Sequence, residues 1–274
     1  MMEAKELIKY FKSLGIEVHT STKARGHQGF FLKNRIDISK NILPEKLVPT
    51  LLHEFAHYVH SKLESGIAKS GGSLEVLFNC TGADAVEFEN ELLRVTYFVD
   101  SNSKCDKLYI HKKVIKDKIL EYERIIKSGY PEFMRSKNFK EFDKYIKNSK
   151  AKYLLKYDRV KLIVGVLLKK TEFFSIDNIE KDFSDMKPEF AAYIRLKSCQ
   201  KRLRKISARI NRYRKYYSTP AELFARFIEG LYLDPERVKF AAPRVYDKFF
   251  KLLKSEYYPD LAKAFDIFYS PVSL

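Results

Sequence analysis

His53, Glu54 and His57 stand in the order His-Glu-x-x-His within residues 51–63, which read Leu-Leu-His-Glu-Phe-Ala-His-Tyr-Val-His-Ser-Lys-Leu. On a helix the two histidines lie one above the other, with Cβ atoms about 5–6 Å apart, so both imidazoles can hold one metal ion. Glu54 is turned about a quarter-circle from His53, which sets its carboxylate where a water on that metal would sit and where a general base is needed. The chemistry this pattern would perform is metal-assisted hydrolysis of a peptide bond, with zinc as the expected ion. As ordinary helix histidines the residues would need no such spacing, and the pattern arises by chance in about one chain of this length per hundred.

A helix is needed to hold these groups. Pro49 suits a first helical turn, and the next Gly or Pro is Gly66. Leu52, Phe55, Ala56, Val59 and Leu63 recur at steps of three and four and form an apolar stripe that a core would fix.

The chain of 274 residues is long enough for a full core as one large or two small domains, and 45% hydrophobic and 14% aromatic content fits a folded protein. Its 10 Gly and 9 Pro argue against long disordered linkers. Cys80, Cys105 and Cys199 are odd in number and far apart, so neither a disulfide framework nor a cysteine metal site is expected, and a reducing cytoplasm is the expected compartment. Lys and Glu interrupt the apolar residues of the first helix, which excludes a signal-peptide core, and no 18-residue apolar run is long enough to span a membrane. The formal net charge is +17, from 52 Lys and Arg against 35 Asp and Glu. A field of that size would draw in nucleic acid, anionic membrane or acidic protein, unless the lysines are scattered over a solvated surface.

In chain order, residues 3–14 read as an amphipathic helix closed by Gly15. Residues 16–20, 30–32 and 35–39 read as strands of a small antiparallel sheet, with a polar turn through Arg25, Gly26 and Gly29. The His-Glu helix follows. Residues 64–73, with three glycines, read as a loop. Residues 74–217 turn Lys- and Glu-rich with helical spacings, including 86–98, 113–126 and 139–157, and read as a helical insertion. Its last helix has an apolar seam at Leu196, Cys199, Leu203, Ile206, Ile210, Tyr213 and Tyr217, while residues 195–215 contain no Asp or Glu. Arg204, Lys205 and Arg212 on its other faces are candidates for nucleic-acid binding, against a merely solvated face. Residues 245–257 and 259–268 read as two final helices. The fold class is thus α+β and predominantly helical: a catalytic core from residues 1–66 and 216–274, interrupted by a basic helical insertion at 67–215.

A catalytic zinc takes three protein ligands and leaves one position open. Gly at 60 with His at 63 would continue the metzincin form, but His60 and Leu63 stand there. His60 lies a further turn along and is expected to be a near-surface neighbour. Glu222, in Thr219-Pro220-Ala221-Glu222, sits in the first turn of a sharply marked helix, where it would equally serve a capping box with Thr219. Glu87 and Glu91, about 30 residues after His57, are the rival ligands.

Residues 1–65 resemble the N-terminal half of compact zincin-like metallopeptidases, in which a small sheet precedes the His-Glu-x-x-His helix. Residues 216–227 resemble the Glu-x-Phe-Ala-Arg helix of gluzincin-like peptidase domains from phage and conjugative-element proteins and, more loosely, the corresponding helix of anthrax lethal factor. The resemblance implies a zinc metalloendopeptidase with Glu222 as third ligand and Tyr216 or Tyr217 stabilising the oxyanion. It also implies a sheet edge, at 16–20 or 35–39, that receives extended substrate. Zinc-dependent peptide hydrolysis with Glu54 as base is the expected function; the alternative is a nucleic-acid-binding or regulatory protein of a mobile element built on the same scaffold.

Overall fold

The computed structural model describes residues 2–21, 28–64, 71–135, 140–164 and 170–268. The chain runs α1 (Met2–Ser13), β1 (Glu17–Ser21), β2 (Gly29–Leu32), β3 (Arg35–Ser39), α2 (Pro44–Leu63), α3 (Leu74–Phe78) and α4 (Gly82–Thr96). A π turn at Tyr97–Ser101 leads into α5 (Asn102–Gly129), followed by α6 (Lys140–Lys147), a 3₁₀ turn at Lys150–Leu155, β4 (Arg159–Val164) and β5 (Lys170–Ser175). Then come α7 (Ile179–Asp182), α8 (Pro188–Tyr217), α9 (Pro220–Leu233), α10 (Pro235–Ala241), α11 (Pro243–Lys254) and α12 (Pro259–Phe268). The predominantly helical α+β class holds. None of the described helices is long and apolar enough to cross a membrane.

Two compact units form, one from Met1–Ser103 with Tyr213–Leu274 and the other from Lys104–Arg212. The predicted boundaries at 66/67 and 215/216 therefore move. Leu77, Phe78, Phe88, Leu92 and Val95 of α3 and α4 are buried in the same core as Leu52 and Phe55 of α2 and Phe224 and Phe227 of α9, so the chain as far as the π turn belongs with α2 and α9.

The first unit's sheet has the order β1-β3-β2. It is mixed, not antiparallel as predicted: β1 runs parallel to β3, with Val18 opposite Ile36, and only β2 is antiparallel to β3, with Phe31 opposite Ile36. Parallel pairing needs a crossover, and β2 lies between β1 and β3 in the chain but outside them in space. Gly15, at φ +78°, takes the left-handed conformation that ends α1 and turns the chain into this sheet. The active helix starts a turn and a half before the prediction, with Pro44 at its first position and Pro49 inside it. Of the expected loop at 64–73, residues 65–70 lie outside the described set, as do Arg25 and Gly26 of the turn before β2.

The second unit is not purely helical. β4 and β5 form an antiparallel ribbon, with Lys161 opposite Phe173 and Ile163 opposite Thr171. Val160 and Phe174 on its inner face pack against a core that includes Ile176, Ile179, Phe190, Ile194 and Leu196. The alternation of Val160 and Leu162 with outward Arg159 and Lys161 explains the strand, which the sequence reading had taken into the helical insertion. The α8 seam is present as expected, with Leu196, Cys199, Ile210 and Tyr217 buried.

Candidate metal centre

α2 and α9 pack against each other within one core, in which Leu52, Phe55, Phe224 and Phe227 are fully enclosed. This packing sets His53 and His57 of α2 against Glu222, in the first turn of α9. His53 Nε2 lies 3.3 Å from His57 Nε2 and 3.6 Å from Glu222 Oε2, and His57 Nε2 lies 3.3 Å from Glu222 Oε1. Ligands 2.0–2.2 Å from a tetrahedral zinc stand about 3.3–3.5 Å apart, so the triangle has the size of one metal's ligand set. Glu222 Oε2 is enclosed and has no hydrogen-bond partner, a costly state for a carboxylate oxygen that a cation at the centre of the triangle would relieve. These three residues could hold a metal ion.

The alternatives to Glu222 are engaged elsewhere. Glu91 is buried and accepts from Val245 N–H at 3.0 Å, holding the start of α11, and Glu87 pairs with Arg244. The capping box does not form at α9: the Thr219 hydroxyl donates to Tyr216 O at 2.9 Å instead, which leaves Glu222 turned to the histidines. His60 is no ligand, but it is buried and not near-surface as expected. Its Nε2 faces Glu64 at 3.4 Å, and a Cβ on Gly72 would collide with its ring, so the chain passes directly over it there.

Glu54 is buried beside the triangle, and burial pushes its carboxyl above the usual range, against the opposing pull of His53 and His57. A proton is held more readily there than on an exposed glutamate. Glu222 moves the other way, to about 2: burial would raise it, but a hydrogen bond with His57, the two histidine charges and the Tyr216 hydroxyl outweigh that. Tyr216 is partly exposed, and its hydroxyl, bonded to Glu222, is raised by burial and by the Glu222 charge. Tyr217 does not enter the site. Its ring is buried and its hydroxyl donates to Asp100 Oδ2 at 3.0 Å.

Behind the triangle lies a buried polar chain that the sequence reading passed over. His53 Nδ1 faces Glu229 Oε2 at 3.2 Å, a contact that fixes the ring and turns Nε2 toward Glu222 and His57. Arg226 donates from Nη1 to Glu229 Oε2 at 2.6 Å and pairs through Nη2 with Asp100 Oδ2 at 2.9 Å, the same oxygen that Tyr217 bonds. Burial works against the Arg226 charge, but Glu229, Asp100 and Glu222 together more than offset it and raise its pKa. The signal was local: Glu222, Arg226 and Glu229 recur at i, i+4 and i+7 as a charged line on an otherwise apolar helix.

A third element borders the site. Thr50 donates to the Gln28 side chain at 3.2 Å, and a Cβ on Gly29 would stand 2.8 Å from Thr50 Cγ2 and 3.1 Å from Glu54 Oε1, so only glycine lets the β2 backbone approach the base this closely. The strand beside Glu54 is thus β2, not the 16–20 or 35–39 segments predicted.

In the second unit, Arg204, Lys205 and Arg212 are exposed on α8, away from any hydrogen bond or ion pair found among the described residues. Other cations of this helix are structural. Arg195 binds Glu180 through both terminal nitrogens and donates to Ile176 O, Lys201 donates to Leu155 O and Lys156 O, and Arg202 pairs with Asp158. No protein-family model, curated protein or solved structure matches the chain.

Proposed function

We propose that the first unit is a zinc-dependent endopeptidase of the zincin-like kind, in which His53, His57 and Glu222 hold the zinc. The observation that carries the reading is a His-His-Glu triangle of tetrahedral dimensions with Glu54 alongside and one enclosed carboxylate oxygen without a hydrogen bond. Two imidazoles and one carboxylate are the donor set of many catalytic zinc sites, and three protein ligands leave a position open. A bound zinc would supply Lewis acidity, bringing a water's pKa toward about 7 and polarising the scissile carbonyl.

The chain's own residues would do the rest. Glu54, raised by burial, accepts a proton from the attacking water and returns it to the leaving amine. Tyr216, at the open side, donates its hydroxyl to the carbonyl oxygen as charge develops, a role its raised pKa suits because it stays protonated. Among the described residues β2 pairs only with β3, so its other edge can take an extended peptide as an added strand whose scissile bond reaches Glu54. Glu229 holds His53 in the tautomer that ligation needs.

Elemental analysis of protein purified without chelators, combined with a pooled quenched-fluorescent peptide library, tests this. One zinc per chain is expected, lost in His53→Ala and retained in Glu54→Gln, with cleavage lost in both. Absence of zinc, or cleavage that survives Glu54→Gln, overturns the reading.

A further inference from the structure

The net charge is not spread over the molecule. Residues 104–212 hold 30 of the 52 Lys and Arg and 14 of the 35 Asp and Glu, so this unit carries +16 of the formal +17. A compositional bias would charge both units alike; a field confined to one marks a surface for a polyanion.

Within that unit the outer face of the β4–β5 ribbon joins cations to exposed apolar groups. Arg159, Lys161 and Ile163 of β4 and Phe173 of β5 are exposed on it, Phe173 by 68% and Ile163 by 65%. The two apolar side chains are diagonal neighbours across the ribbon, and Lys161 lies directly opposite Phe173 with its ammonium 5.6 Å from the ring centre. Two further lysine–aromatic pairs precede the ribbon, Lys152 with Tyr153 and Lys156 with Tyr157, at 5.3 and 5.5 Å. A cleft of about 390 Å³ borders Phe173, with Ser175, Asn178 and Asp182 on its wall, the Asp182 carboxylate held by Ser175 N–H; its size is within the range of about 300–1,000 Å³ that small-ligand sites occupy. One end of the ribbon is tied to α8. Asp158, immediately before β4, is held by Ser198 and Arg202 of α8, and Ile176, immediately after β5, by Arg195.

We propose that this face binds single-stranded nucleic acid, with a base stacked on Phe173 and backbone phosphates on Arg159 and Lys161. An exposed ring flanked by cations offers an unpaired base both stacking and charge neutralisation, whereas a duplex keeps its bases stacked within itself and cannot use the ring. The exposed Phe173 and Ile163 are otherwise an unfavourable surface.

The test is fluorescence anisotropy of the full chain with a labelled 12-nucleotide oligothymidylate, a duplex of equal length and anionic phosphatidylserine vesicles, across a salt series. Phe173→Ala should weaken single-strand binding by about tenfold with an unchanged salt slope, and Phe173→Tyr should restore it. Arg159→Ala with Lys161→Ala should reduce the log–log salt slope by about 1.4, two phosphates at about 0.7 each. Circular dichroism and zinc content should match the wild type in all three. No binding at low salt, an equal loss for duplex, vesicle binding that depends on Phe173, or wild-type affinity in Phe173→Ala with the whole loss in Arg204→Ala/Lys205→Ala/Arg212→Ala each overturns the assignment.

Discussion

The two units handle charge in opposite ways. In the unit of Met1–Ser103 and Tyr213–Leu274 acids and bases nearly balance, and the charges that matter are inside: Glu54, Glu222 and Glu229 are buried, with Arg226 among them. In the unit of Lys104–Arg212 the excess of +16 lies outside, and the ion pairs there, such as Arg202 with Asp158 and Lys150 with Glu172, tie surface segments together. Buried charge must be paired or must hold an ion, because desolvation is expensive; exposed charge of one sign is cheap locally and acts at a distance on partners. A site for chemistry and a surface for a polyanion are what these two arrangements are suited to.

The sharpest way to break the comparison is Glu54→Gln, which should lower peptide cleavage by about a thousandfold or more while nucleic-acid affinity and zinc content stay unchanged. A parallel loss of oligonucleotide binding, read by anisotropy, would show that the units do not divide the work as proposed. Arg226→Ala comes next. It removes the one guanidinium shared by the buried Glu229 and the part-buried Asp100, so a loss of about 3–5 kcal/mol is expected, visible as a fall in Tm. An equivalent cut in the basic unit, Arg202→Ala, removes a half-exposed pair with Asp158 and should cost about 1 kcal/mol or less. Should both variants melt at the same temperature, the distinction between inner and outer charge fails. Glu229→Gln falls between Arg226→Ala and Arg202→Ala: it keeps a hydrogen-bond acceptor for His53 but loses the charge, and zinc affinity measured by chelator competition should drop about 10- to 100-fold.

How much of this was legible in the sequence follows from where each contact lies along the chain. His53, Glu54 and His57 share one helical turn, so spacing alone showed their arrangement. Glu222 lies in the other helix of the pair, and its assignment as a ligand came from a resemblance because nothing in a 165-residue separation reveals that α9 packs on α2. Glu229 and Arg226 were readable in principle from the i, i+4, i+7 line on α9, but Asp100, supplied by the π turn more than a hundred residues earlier, was not. The role of β2 depends on sheet order, and the order β1-β3-β2 comes from a parallel pairing that the pattern of single strands does not encode. In the basic unit the composition was visible, yet its significance required the boundary at residues 103/104. Only then does the count show that the other unit is almost neutral.

The smallest expected effect is on stability itself, and it separates the units by salt. Like charges confined to one compact unit repel, and the repulsion is screened over about 10 Å at 0.1 M ionic strength. Raising sodium chloride from 20 to 300 mM (about 20 Å to 6 Å of screening length) should therefore slow amide hydrogen exchange in the second unit, at Ile194 and Leu196 of α8 and at Ile119 and Ile126 of α5, whose side chains pack its core. The near-neutral first unit should respond little, so amides of Leu52 and Phe55 in α2 and Phe224 in α9 serve as the internal control. The expected gain is on the order of 1 kcal/mol at most, since the lysines are mostly solvated. Chloride is the right salt here because sulfate would strengthen apolar burial in both units alike. An equal change in the two sets of amides would mean that the excess charge exerts no strain on the unit that carries it, and that its lysines are too well dispersed to act as one field on a polyanion either.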